Sequence, residues 1–156
     1  MEIDEITDQI LGSAIAIHRE FGPGLMESVY EAILARELEL RGLSVRRQQI
    51  VRFSYAGMVF DEAFRADLIV EGVVVVELKS VSRLEPVFAR QLLTYLRLLR
   101  LPVGIVLNFG AAKLSEGIKR VVNNFPPSSP SRLRVNANAS WHCTLRYETA
   151  PPNNMK

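Results

Sequence analysis

Apolar residues recur at Ile3, Ile6, Ile10, Leu11, Ala14, Ile15 and Ile17, a spacing that lines one face of an α-helix over residues 3–20. Its first turn is acidic, as the helix macrodipole favours. Phe21-Gly22-Pro23-Gly24 breaks it. A second helix is expected from about Met26 to Arg41, with Leu25, Val29, Ala32, Ile33 and Leu40 on its apolar stripe and Gly42 just past its end. The period then changes to alternation. Val51, Phe53 and Tyr55 mark one face of a strand over residues 50–55. Ala56-Gly57 suits a two-residue hairpin turn, and residues 58–70 form a second strand. Glu71-Gly72 turns the chain into a third strand, Val73 to Lys79. Pro86 opens a helix that runs to about Arg100 on Val87, Phe88, Leu92, Leu93, Leu96 and Leu99. After Leu101-Pro102, Val103 to Phe109 is a short buried strand, and a last helix is expected over residues 113–123. The crossover between the strands at 73 and 103 is long enough for parallel pairing. The class is therefore α/β, with a mixed central sheet flanked by helices and one extra helix in front.

The third strand carries the chemistry. Val73-Val74-Val75-Val76 reads as a strand buried on both faces, and Glu77-Leu78-Lys79 follows at once. Side chains alternate along a strand, so Glu77 and Lys79 share a face with Val73 and Val75. A buried ion costs several kcal/mol, roughly, unless it is paired, hydrogen-bonded or bound to metal. The pair is thus either a site or a salt bridge at the point where the strand reaches water, and the strand alone leaves both open. Asp67 lies on the antiparallel neighbour. A two-residue loop pairs Val70 with Val73 and sends Asp67 and Glu77 to opposite faces. A three-residue loop, or a bulge, sets Asp67 opposite Glu77. Two helices add polar pairs at contact spacing: Glu27 with Tyr30, and Gln91 with Tyr95. Glu27 also suits a first helical turn, and His18 suits a helix end or a packing position.

Composition narrows the classes. At 156 residues and 48% hydrophobic content the chain can build one sizeable core. No apolar run approaches the ~18 residues of a membrane span, so no membrane partner is expected. The acidic start Met1-Glu2-Ile3-Asp4-Glu5 has no basic n-region. The single cysteine, Cys143, excludes an internal disulfide and a multi-cysteine zinc site. A reducing, cytoplasmic setting is expected. Net charge is only +2, but Glu2, Asp4, Glu5 and Asp8 concentrate acid at one end. Arg41, Arg46, Arg47 and Arg52, and then Arg83, Arg90, Arg97 and Arg100, form two basic groups that suit either a phosphate-binding surface or a solvated face. Five of the eight prolines lie beyond Phe125. We read residues 1–124 as the domain and 125–156 as a Pro/Ser/Asn-rich tail, with a short strand at 140–147 holding Trp141.

Taken in order, these motifs resemble a known family. Gly24-Leu25-Met26-Glu27-Ser28-Val29-Tyr30 matches the signature of the GxxExxY proteins, and the match continues through Glu37-Leu38, Arg41-Gly42, Arg65-Ala66-Asp67, Glu77-Leu78-Lys79, Gln91-Leu92-Leu93-Thr94-Tyr95-Leu96 and Asn108-Phe109-Gly110. These proteins look like members of the PD-(D/E)XK nuclease superfamily, on its RecB-like, Holliday-junction-resolvase-like branch. The resemblance implies a restriction-endonuclease-like αβββαβ core and a Mg2+- or Mn2+-dependent nuclease acting on DNA phosphodiesters. It assigns Asp67 and Glu77 as metal-binding acids with the Leu78 carbonyl, and Lys79 as the motif lysine. Glu27 becomes the extra helix carboxylate, and Gln91 and Tyr95 the QxxxY element. Tyr30 is left open between site and packing, and Asn108 is read as structural. Ala66 stands where the motif has proline. Two other classes remain: a catalytically inactive nucleic-acid-binding module with the same fold, and an interaction protein that uses the apolar N-terminal helix toward a partner or as a homodimer.

Overall fold

A computed structural model describes residues 1–124 together with the short strands Leu133–Arg134 and Arg146–Tyr147. Two helices come first, α1 (Ile3–Phe21) and α2 (Glu27–Leu40). Then follow β1 (Val45–Tyr55), β2 (Met58–Val70), β3 (Val74–Lys79), α3 (Pro86–Leu99) and β4 (Val103–Asn108). The α-β-β-β-α-β order read from the pattern over 26–109 is the observed one, and the fold is of the restriction-endonuclease-like kind.

Five strands form one mixed sheet in the order β1-β2-β3-β4-β5, where β5 is Ile118–Val122. Among the described strands only β3 and β4 run parallel, joined through α3. The last segment corrects the expected helix over 113–123: a single 3-10 turn at Leu114–Gly117 is followed by β5, antiparallel to β4. Ile118, Val121 and Val122 are β-branched, and β4 without β5 would leave a fully buried strand with one unpaired edge. The ladder to β4 outweighs any local helical preference. β1 also starts earlier than expected, at Val45, because its first residues pair with the end of β2. Of the strand expected at 140–147, the described part is Arg146–Tyr147, paired with Leu133–Arg134. Trp141-His142-Cys143 lies outside the described residues.

The core has two sides. Ile6, Ile10, Ala14 and Ile17 of α1 join Tyr30, Leu34 and Leu38 of α2 over Leu68, Val70, Val74, Val76, Leu78, Ile105 and Leu107 of the sheet. On the opposite face Leu92 and Leu96 of α3 cover Ile69, Val75 and Val106. The apolar stripe of α1 is thus buried in the chain's own core, which removes the reason for reading it as a partner surface. No helix among the described residues is long and apolar enough to cross a membrane.

The β2–β3 connection decides how the two strands face each other. Glu71 and Gly72 both take left-handed backbone (φ 52 and 68), and Val73 N–H donates to the Val70 carbonyl at 3.1 Å. Val73 then counts as an extra residue, and Val70 pairs with Val74, Ile69 with Val75 and Leu68 with Val76. The longer of the two connections considered from sequence is therefore the real one, and it aligns Asp67 with Glu77. The ladder stops there. β2 continues backwards with β1 alone as a long hairpin, closed by Ala56 and Gly57 in left-handed conformation (φ 48 and 79).

Candidate active site

The site forms where β2 and β3 part. In place of further ladder bonds, two carboxylates reach across the gap. Asp67 Oδ2 accepts the Leu78 N–H at 2.9 Å, and Glu77 Oε1 lies 3.5 Å from the Asp67 nitrogen. Glu77 follows Val75 on the α3 side of β3 and is 7% exposed. Lys79, two residues on, sets its Nζ 4.0 Å from Glu77 Oε2 and 3.8 Å from Glu27 Oε1, and lies 5.5 Å from the centre of the Phe88 ring. The two readings of this stretch thus meet: Glu77 and Lys79 form an ion pair, and it sits in a largely dry cleft rather than in open water.

The electrostatics are strained. Burial, and after it the neighbouring Asp67 charge, push the Glu77 carboxyl up to about 8 against the pull of Lys79. Asp67 is raised as well, mainly by burial and also by Glu31 and Glu27, against the Leu78 N–H and Lys79. The Tyr95 phenol is raised by burial and by the charges of Glu77 and Asp67. One ammonium does not neutralise this set of acids, so the cleft favours a further cation. Hard oxygen donors suit magnesium or manganese, and magnesium is commonly held by one or two carboxylates with waters and phosphate oxygens. Asp67 and Glu77 fit that donor set, although no group of three His, Cys, Asp or Glu among the described residues is arranged to hold a metal ion.

Glu27 arrives from the other layer. It is the first residue of α2, and its Oε2 accepts the Ser80 N–H at 3.2 Å, just past the end of β3. Ser80 Oγ also donates to the Leu25 carbonyl at 3.2 Å. Tyr30, one turn along α2, is fully buried, stacks on Phe109 at 4.3 Å, donates its hydroxyl proton to the Gly22 carbonyl and accepts the Leu25 N–H at 3.1 Å. It therefore braces the loop that leads into Glu27 and is a packing residue. Replacing Tyr30 by phenylalanine should lower stability by about 1–2 kcal/mol, since two backbone groups lose their partner, and a thermal melt would record it as a drop of several degrees. An unchanged melting temperature would show that the loop holds itself.

The remaining expected residues divide. Asn108 is buried and clips the loop after β3, accepting from the Val81 and Gly110 N–H groups and donating to the Val81 carbonyl. His18 is buried with Nε2 2.9 Å from the Ala111 carbonyl and its ring tilted against Phe109. Both are structural. Tyr95 lies flat on Phe64 at 3.8 Å, within the field of the acids. Gln91, one turn earlier on α3, is exposed and has no hydrogen bond among the described residues, so the structure does not bring it into direct contact with the acids. The first arginine group is partly neutralised internally: Arg47 pairs with Glu31 at 2.9 Å and Arg52 with Asp61 at 2.7 Å. Arg83, Arg90 and Arg100 are exposed.

Two residues beside the acids escape the sequence reading. Glu31 is 4% exposed and adds its charge to the field at Asp67. Its spacing of four from Glu27 on one helix was a legible signal. Gln48 Nε2 contacts both Glu31 and Asp67, and nothing in the local pattern marks it. Comparison with known proteins gives one result: the sequence model of the PD-(D/E)XK nuclease superfamily matches residues 4–121. No curated protein and no solved structure matches the chain.

Proposed function

The chain belongs to the PD-(D/E)XK nuclease superfamily, and from that premise we propose that it is a Mg2+- or Mn2+-dependent nuclease that hydrolyses DNA phosphodiester bonds. Within the superfamily we assign it to the GxxExxY group, on the RecB-like branch, from the run Gly24 to Tyr30 and the Gln91/Tyr95 spacing. The acting unit is residues 1–124. The observation that carries the reading is the convergence of Asp67, Glu77, Lys79 and Glu27 at the fork between β2 and β3.

In this reading the Asp67 and Glu77 carboxylates and the Leu78 carbonyl hold the ion, with Glu27 reaching it directly or through water. When bound, the cation polarises the scissile phosphate and acidifies water. Lys79 keeps its ammonium between Glu27 and Glu77, and there it orients the attacking water and offsets negative charge as phosphorus becomes five-coordinate. Phe88 covers one side of that ammonium and limits its hydration. Tyr95 and Gln91 line the α3 side, where they steady the substrate strand. Exposed Arg83, Arg90 and Arg100 contact backbone phosphates, which supplies affinity that falls with salt and reads no bases.

The test is direct. Purified protein is incubated with linear, single-stranded, nicked and branched DNA in Mg2+, in Mn2+ and in EDTA, beside Asp67→Asn. Cleavage of at least one substrate that needs the divalent ion and is lost in the variant is the expected result. Salt-sensitive DNA binding with no cleavage, indifferent to Asp67→Asn, would instead establish the non-catalytic binding module. That second reading draws on one observation: no group of three His, Cys, Asp or Glu among the described residues is arranged to hold a metal ion.

A further inference from the structure

Gln48 breaks the alternation of its own strand. Successive side chains of a strand point to opposite faces, so Arg47 and Gln48 should diverge. Both instead reach the same buried carboxylate: Arg47 Nε donates to Glu31 Oε1 at 2.9 Å and Gln48 Nε2 to Glu31 Oε2 at 2.5 Å. The backbone accounts for it. Gln48 has φ 50, and among the described residues it is the one non-glycine left-handed residue inside a strand; Ala56 and Glu71 sit in turns and Arg100 caps a helix. The register is otherwise continuous across it, with Arg47 opposite Leu68 and Gln49 opposite Ala66, so Gln48 stands directly opposite Asp67. Its amide nitrogen also lies 3.4 Å from Asp67 Oδ1.

We infer that Gln48 is a positioning residue that ties Asp67 to a fixed point, Glu31, and so sets the orientation in which Asp67 receives a divalent cation. The inference rests on the metal-dependent reading given above. An amide NH2 carries two protons and no charge, so one nitrogen can serve two carboxylates at once and hold two like charges apart. Asp67 Oδ2 is already taken by the Leu78 N–H, and Gln48 fixes the other oxygen from the side while leaving its remaining lone pair open. Glu31 can act as the fixed point because Arg47 holds its other oxygen, Oε1, at 2.9 Å. A left-handed backbone at a non-glycine residue persists where the surroundings over-determine it, and such residues gather at functional sites.

Two substitutions separate this role from a merely structural one. Asparagine and glycine both accept positive φ more readily than glutamine, but neither places an amide between Glu31 and Asp67. Full-length wild type, Gln48→Asn and Gln48→Gly are compared by calorimetric titration with Mn2+ alone, by thermal melting, and by kcat and KM on the DNA cleaved by the wild type. The expected result is about a tenfold rise in the Mn2+ Kd in both variants, a matching fall in kcat at Mn2+ below saturation, unchanged KM for DNA and a melting temperature lowered by no more than a few degrees, since the relieved backbone offsets part of the lost hydrogen bond to Glu31. Mn2+ affinity within twofold of wild type in both variants overturns the inference while the metal reading stands. Absence of Mn2+ binding by the wild type overturns the metal reading, and the inference falls with it.

Discussion

Replacing Glu77 by glutamine is expected to lower DNA cleavage by about 10^3-fold or more while leaving the metal-free protein as stable as the wild type or more so. The two halves have one cause. Glutamine has nearly the shape of glutamate, and its carbonyl oxygen can still face the Asp67 N–H that Glu77 Oε1 approaches. What it lacks is the charge. In the proposed chemistry that charge helps hold the cation, and a loss of about 4 kcal/mol of transition-state stabilisation corresponds to the stated factor. In the metal-free fold the same charge is unfavourable, because it sits 7% exposed beside another carboxylate. Steady-state cleavage in Mg2+ measures the first effect, and a melt at pH 8 in EDTA measures the second. Activity within tenfold of wild type would remove Glu77 from the reaction. Lys79→Met should lower cleavage too but act oppositely on the fold at pH 8, because Glu27 and Glu77 both lose their nearest cation.

The second large effect concerns pH and metal together. Glu77 titrates near its ordinary 4.5 when unfolded and at about 8 in the fold. Between those values the folded state binds more protons than the unfolded one, so stability falls as pH rises through that window. Below it and above it this group contributes no slope. Asp67, also raised from 3.8, adds in the same direction. Each pH unit of separation amounts to about 1.4 kcal/mol, and allowing for coupling and residual solvent the total is on the order of 3 kcal/mol. For a domain of this size that is roughly 10 °C in melting temperature. Binding of Mn2+ or Mg2+ to the ionised pair reverses the loss, so the ion should raise the melting temperature far more at pH 8 than at pH 5. Melts at both pH values with EDTA and with Mn2+, on wild type and Glu77→Gln, isolate the contribution. An equal pH slope in the two proteins would show that Glu77 is not the group responsible.

Much of this was readable in advance, and the reason differs from element to element. The run Val73–Val76 announces a strand buried on both faces because four β-branched residues in succession suit little else, and Val74 to Leu78 is buried throughout. Helical periodicity located α1 and α3 because each packs a single face against the sheet; α2 buries Tyr30, Leu34, Ala35 and Leu38 instead, and leaves Val29 and Leu40 of the expected stripe exposed, because its inward face is set by packing on the sheet and α1. Glu77 and Lys79 stood out because charge directly beside core is costly, Asp67 and Glu27 through the resemblance to the family's motifs, and all four meet at one fork. Residues 113–123 depart from the helix their pattern suggests: Ile118-Lys119-Arg120-Val121-Val122 fits either period over so few positions, and the open edge of β4 selects the strand. Gln48 was invisible for a related reason, since its contacts depend on a backbone angle that no neighbouring residue dictates.

The sequence by itself determined the helices and strands up to residue 109, the apolar faces of α1 and α3, and that Glu77 and Lys79 stand beside core, because those follow from local spacing and the cost of leaving oil in water; Asp67 and Glu27 came from the family resemblance. Only the tertiary structure decided that Val73 is an extra residue, so that Asp67 meets Glu77 rather than turning away, that 118–122 joins the sheet, and that Glu31 and Gln48 stand behind Asp67. Those outcomes depend on hydrogen bonds between segments far apart in the chain, whose energies no local window contains.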